Sequence, residues 1–219
     1  PRPTNDLYYG GTNTNWLKLA NTLKLRYYLQ TRLVNNNAKA EIDAIISGGN
    51  YITSSADDFQ FKYSTNRINP DSRHPYYSNN YENGGNDYQS NYYMWLMFGE
   101  KNTRDPRIRF YFYRQDGDTT DENFFTLDCQ AIPKPPHYPE FMPWCVASTD
   151  GYWGRDHGND DGIPPDDIKR TIPGVYPAGG AFDDNSFAGL GDLVGTAGAK
   201  GAGIQPIMLA SWVDFMRAE

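Results

Sequence analysis

Cysteine is scarce in this chain: Cys129 and Cys145 are the only two in 219 residues. Two thiols are too few for a disulfide framework, and no second pair with zinc-like spacing accompanies them. They could close a short proline-rich loop, a link worth about 3 kcal/mol, or sit as two buried thiols. Their spacing leaves both open. No stretch approaches eighteen apolar residues, so nothing reads as a transmembrane helix, and no signal peptide is visible. Positive charge is thin as well. Lys and Arg number 20 against 27 Asp and Glu, for a net charge of −7. With no basic run, an electrostatic nucleic-acid footprint is excluded.

Aromatic residues are what the chain has in quantity. They reach 15% with 17 Tyr, although hydrophobic residues total only 38%. A disordered chain would be poor in aromatics. The combination predicts a small aliphatic core and much loop, ordered by rings that bury large areas and still offer polar tips.

Residues 13–34, NTNWLKLANTLKLRYYLQTRLV, place Trp16, Leu19, Ala20, Leu23 and Tyr27 on one helical stripe. Asn13 or Thr14 is the expected N-cap, and the run Asn35, Asn36, Asn37 the stop. Ala38, Ile42, Ile45 and Ile46 share the face of a second helix, ended by Gly48-Gly49. A short polar connection makes the two antiparallel neighbours. Beyond residue 50 the pattern changes. DDFQFKYS alternates Phe59, Phe61 and Tyr63 as a strand would. Residues 69–87 read as loop, and 88–100 as a helix with Tyr92, Trp95 and Leu96 on one side. DPRIRFYFYRQ (105–115) alternates Ile108, Phe110 and Phe112 as a strand. Residues 116–203 are nearly aperiodic, far longer than an ordinary connection. IQPIMLASWVDFMRAE is expected to return to helix, with Pro206 in its first turn.

In order along nearly the whole chain, NWLKLANTLKLRYYLQTRL, DDFQFKY, YQSNYYM, DPRIRFYFYRQ, GYWGRDHGNDDGIPPD, GVYPAGGAFDD and GIQPIMLASWVDFMRAE resemble the SusD/RagB family. The likeness is to the SusD-like, starch-binding-associated branch of outer-membrane nutrient-binding lipoproteins. It implies a mainly α fold: a tetratricopeptide-like helical scaffold with a long loop-rich insertion that contains a few short strands. Residues 13–47 and 204–219 would be scaffold and 50–203 the elaborated face. It also implies anchoring at the cell surface through an N-terminal lipid outside this segment. The partners it implies are a glycan ligand and a SusC-like TonB-dependent transporter, with no catalysis. The chain opens on Pro1 without a methionine and stops inside an amphipathic pattern, as a central fragment of one larger domain would. An oxidising exterior favours the Cys129–Cys145 bond.

The stretch GYWGRDHGNDDGIPPD (151–166) concentrates acid, base and aromatic groups. Asp156, Asp160 and Asp161, with Asn159, could offer oxygens to calcium, but their spacing is not that of an EF-hand. The expected role is a structural loop: Gly151, Gly154 and Gly158 permit unusual backbone angles, and Arg155 and Arg170 pair with the aspartates. No required cofactor is expected. Catalysis has no motif behind it, since no G-x-S-x-G is present and acidity alone names no glycosidase pair. Sugars present flat C–H faces to aromatic rings and hydroxyls to polar neighbours. On that ground Tyr76, Tyr77 and Tyr81, with Tyr88, and then Tyr152, Trp153 and Arg155 are the candidate ligand contacts. A peptide or glycopeptide is the alternative ligand.

Overall fold

A computed structural model describes residues 5–82, 87–101, 103–117, 134, 136–142, 151–155, 170–187 and 198–219. Cys129, Cys145, Asn159 and the calcium candidates Asp156, Asp160 and Asp161 lie outside these residues. The fold is mainly helical with a few short strands, and the chain divides into two compact units, residues 1–62 with 205–219 and residues 63–204.

The first unit is built on α1 (Asn13–Thr31) and α2 (Ala38–Gly48), which pack against each other. Thr12 rather than Asn13 or Thr14 occupies the N-cap position. The buried residues of α1 are Leu19, Thr22, Leu25 and Leu29, while Trp16, Leu23 and Tyr27 are exposed. The inward stripe is therefore rotated from the one that apolar spacing predicts. The reason is Thr22, whose hydroxyl donates to Lys18 O at 2.8 Å and accepts from Ile52 N at 2.9 Å. A polar residue takes a core position because both bonds satisfy it there. Gly49, with φ +65°, closes α2 as expected by donating to Ile46 O.

A 3₁₀ turn at Ser55–Asp57 leads into β1 (Phe59–Lys62). Lys18 and Asp57 form a salt bridge at 2.8 Å. In the second unit lie a helical turn, α3 (Pro75–Tyr77), and a π-helical turn (Ser78–Glu82), within the segment read as loop. There too are α4 (Asn91–Phe98), the single turn α5 (Ile108–Tyr111), β2 (Phe112–Tyr113) and β3 (Ile172–Pro173). The expected strand over 105–115 is thus mostly a turn of helix, with two strand residues at its end. Asp105 forces the turn: its carboxylate accepts from Arg107 N at 3.0 Å, and its carbonyl from Ile108 N at 3.2 Å.

The expected helix over 204–219 is corrected as well. Ile204–Met208 forms a strand, β4, paired with β1, and only Ala210–Ala218 is helix, α6. Pro206 sits inside the strand, where a two-stranded ladder tolerates its missing N–H. The first amide of α6, Ala210 N, is capped at 2.6 Å by Asp58, from the segment before β1. Leu19, Leu25, Leu29, Ile52, Met208 and Val213 then form one apolar core.

The second unit is held by a buried ion pair and a backbone lattice. Arg114 donates Nε and Nη2 to the two oxygens of Asp183, at 2.6 and 2.9 Å. Its guanidinium lies over Tyr152 and Phe187. β2 and β3 pair antiparallel, Phe112 with Pro173 and Tyr113 with Ile172. Residues 152–155 thread between Gln89–Asn91 and Thr171. Arg155 N donates to Gln89 O, Asn91 N to Arg155 O, Thr171 N to Trp153 O and Gly154 N to Asn91 Oδ1. A Cβ on Gly154 would stand 1.8 Å from Gln89 O, so only glycine fits.

His74 opens α3 as an N-cap, its Nδ1 accepting from Tyr76 N at 3.1 Å. The ring packs between Tyr63 and Tyr76, at centroid distances of 4.7 and 5.3 Å.

These contacts generate three expectations. Thr22→Val leaves Ile52 N–H buried without a partner and should cost about 1–3 kcal/mol, lowering the urea midpoint, whereas Thr22→Ser should recover most of it. Asp183→Ala removes the carboxylate that takes two hydrogen bonds from the buried Arg114 and should cost about 3–5 kcal/mol, measured in the same way. Burial lowers the His74 pKa, against a raising hydrogen bond to the Ile204 backbone. The folded chain therefore resists protonation while the unfolded chain binds a proton near pH 6.5. Stability is full above that pH and falls as pH drops below it. His74→Asn keeps a capping acceptor and should flatten this slope in thermal melts between pH 7.5 and 5.

Candidate functional site

The sequence candidates separate by burial. Tyr77, Tyr81, Tyr152 and Trp153 are at most 2% exposed and belong to the core. Tyr77 and Tyr81 stack at 5.0 Å with an interplanar angle of 13°. The Tyr81 hydroxyl donates to Pro173 O at 2.7 Å and accepts from Ala181 N at 3.0 Å, and burial pushes its pKa upward. Tyr152 lies against Met94, Ile108 and Phe112, and burial raises its phenol to about 12. The Arg170 guanidinium covers Trp153 at 4.5 Å. As surface stacking residues these four are corrected: they order the loops from beneath. Among the described residues, GYWGR therefore serves as loop scaffold. Gly151 takes φ +65° and Gly154 makes a close backbone approach.

Tyr76 is the candidate that reaches solvent, at 49% exposure. Its backbone is fixed by the His74 cap, and its ring leans on the His74 imidazole. Arg155 is partly exposed, with its guanidinium 5.5 Å from the centre of the Tyr88 ring. Tyr76 is thus set by His74, and Arg155 by Tyr88.

A second aromatic surface was not singled out by sequence reasoning. Tyr92 and Trp95 of α4 lie 5.6 Å apart, and Trp95 lies 5.6 Å from Phe141, with interplanar angles of 39° and 37°. Tyr92 is 54% exposed and Phe141 72%, while Trp95 is wedged between them on Tyr138 and Met142. Helical spacing puts Tyr92 and Trp95 on one face. The loop beneath Phe141 is tied by Lys134 Nζ, which donates to Pro139 O and Glu140 O at 3.0 and 3.1 Å. A Cβ on Gly99 would meet Trp95 Cδ1 at 2.9 Å. The absence of a side chain there leaves the indole its place. The result is two exposed rings, Tyr92 on α4 and Phe141 on a loop, packed on either side of Trp95, which is buried at 7% exposure. Tyr92 and Phe141 thus form a small exposed apolar surface. The Tyr92–Trp95 half was legible as one helix face. Phe141 was not, because its partner is distant in the chain.

Among the described residues, no group of three or more His, Cys, Asp or Glu could hold a metal ion, and no helix is long and apolar enough to cross a membrane. Among the described residues, Asp71, Glu82, Asp105 and Asp183 are each paired with arginine, Asp57 is paired with Lys18, and Asp58 caps α6.

Comparison with solved structures places this architecture. A SusD homologue from Parabacteroides distasonis matches with a TM-score of 0.51 and 15% identity, covering 97% of this chain and 37% of its own. A SusD homologue from Bacteroides thetaiotaomicron VPI-5482 gives 0.51 and 15%, covering 97% and 32%. A Bacteroidetes SusD-like protein gives 0.51 and 17%, covering 100% and 45%. At these identities the likeness is one of fold, and the chain spans less than half the length of each. No curated protein matches it. The family model SusD-like, described as starch-binding and associating with the outer membrane, matches residues 2–127. With more than half of its residues under that model, the chain belongs to the SusD-like family.

Proposed function

We propose that this protein captures an oligosaccharide at the cell surface and passes it, unaltered, to a partner TonB-dependent transporter of the outer membrane. A lipid anchor outside the present segment would hold it there. The observation that carries the reading is the Tyr92–Trp95–Phe141 run. Tyr92 and Phe141, both exposed and braced on the buried Trp95, suit the C–H faces of a sugar chain, and that packing holds them in place before ligand arrives. Preorganised rings avoid the entropy of ordering a loop on binding. The family description, starch-binding and associating with the outer membrane, supports both the ligand class and the location.

Tyr76 and Arg155 remain in the proposal as separate contacts, a second exposed ring and a hydrogen-bond donor for sugar hydroxyls. Capture is by stacking and polar contacts and needs no acid–base pair. Among the described residues the buried carboxylates are spent on structure, as at Asp105 and Asp183.

The test is migration of the intact protein through native gels cast with a panel of neutral polysaccharides, alongside calorimetry with peptides. Retardation by one polysaccharide is expected. Phe141→Ala and Tyr92→Ala should each weaken it about tenfold, the order of what one well-packed ring contributes, with unchanged thermal melts. Tyr76→Ala should act independently of both. Retardation by no polysaccharide, with peptide bound instead, would replace the glycan by a peptide ligand.

A further inference from the structure

The chain carries a net charge of −7, yet residues 101–109 hold Lys101, Arg104, Arg107 and Arg109 against the single acid Asp105. Two of these cations converge on that acid. Lys101 Nζ lies 2.6 Å from Asp105 Oδ2, and Arg107 donates Nε to Oδ1 at 2.9 Å and Nη2 to Oδ2 at 2.7 Å. The Asp105 side chain is 4% exposed, whereas those of Lys101 and Arg107 are 47% and 64% exposed. The carboxylate is thus an inner anchor, and the cations form the outer rim. One negative charge is shared by two positive ones, which leaves the cluster cationic. Its hydrogen bonds to Arg107 and Lys101 hold Asp105 well below the usual carboxylate range, so the anchor stays ionised at any ordinary pH.

The outer donors are not exhausted. Arg107 uses Nε and one Nη2 hydrogen on Asp105, and its Nη1 has no partner among the described residues. Lys101 makes one hydrogen bond with three available donors. Planar donors fixed by an anchoring carboxylate are suited to receive a second carboxylate.

An aromatic ring stands beside this rim. Tyr93 of α4 is 40% exposed and set edge-on against Tyr111 and Phe112. The Tyr111 ring on which it packs belongs to the same turn as Arg107, since Tyr111 N donates to Arg107 O at 3.2 Å, and burial pushes the Tyr93 phenol up to about 12. Arg104 adds a further cation, stacked 4.2 Å over Phe98. Successive residues of one helix place Tyr92 and Tyr93, so this ring and cation cluster neighbours the Tyr92–Trp95–Phe141 run in sequence while facing a different way around α4.

We propose that Tyr93 with Lys101 and Arg107 forms an acidic-sugar subsite, in which the ring packs a uronic acid and the two cations bind its carboxylate. The inference rests on the glycan reading and narrows it to polysaccharides that contain uronate units.

Three polymers test it on the intact protein: polygalacturonate, neutral amylopectin and poly-glutamate. Polygalacturonate binding is expected, weakening at least fivefold with Lys101→Gln and with Arg107→Gln. It should also weaken about tenfold between 50 and 500 mM NaCl as charges are screened. Tyr93→Ala should lower it similarly. Lys101 is an exposed side chain, so Lys101→Gln keeps the test sound even if Arg107→Gln disturbs folding, and thermal melts report which occurs. Amylopectin binding without polygalacturonate binding overturns the acidic-sugar subsite and leaves the glycan reading standing. Binding of none of the polysaccharides overturns both. Poly-glutamate bound as tightly as polygalacturonate, with no loss on Tyr93→Ala, reduces the cluster to a general anion patch and also overturns the subsite.

Discussion

The loop-rich unit of this protein depends on one buried ion pair. Arg114 and Asp183, with side chains 6% and 2% exposed, meet through two hydrogen bonds in an interior that could not hold either charge alone. Several described neighbours keep that pair satisfied. Tyr152 and Phe187 cover the guanidinium, Asn185 accepts another of its hydrogens, and Asp183 N donates to Arg109 O. Where aliphatic residues are few, a charge pair that must be fully enclosed specifies how loops close over it. The GGAFDD loop is fixed to the end of β2 by this demand more than by apolar area.

The same logic explains why aromatics are so numerous. Short helices and two-residue strands bury little surface each, and the spaces beneath long loops are irregular. Rings fill them and still complete hydrogen bonds. Tyr81, accepting from Ala181 and donating to Pro173, is both a filler and a backbone link. That double use is what removes it from ligand binding, and Tyr77, Tyr152 and Trp153 go with it. Ring-rich loop sequence reads alike whether the rings face in or out. Exposure is decided by distant partners: Phe141 gains its meaning from Trp95, and Tyr76 from His74.

Local periodicity was readable where structure is local. α1, α2, β1 and α4 follow from spacing, and Gly49 ends α2 as its position suggests. The two reversals share a cause. Residues 108–111 turn because Asp105 accepts local amides, and 204–208 extend because β1 offers them a ladder. In both, a hydrogen-bond partner overrides an apolar pattern that fits either state. Family membership was legible from ordered motifs, and Tyr92 and Trp95 as one helix face, but Phe141 was not, since it sits on a loop without a period.

Thr22 has a consequence for what the first unit shows to its surroundings. A helix with apolar residues nearly all round has no unique inward face, and several rotations of α1 would bury comparable area. One hydroxyl bridging Lys18 O and Ile52 N selects among them. It thereby assigns Leu23, Tyr27 and Leu17 to the outside. A single polar atom in the core acts as the azimuthal setting of the helix and chooses which greasy side remains available to whatever packs there next.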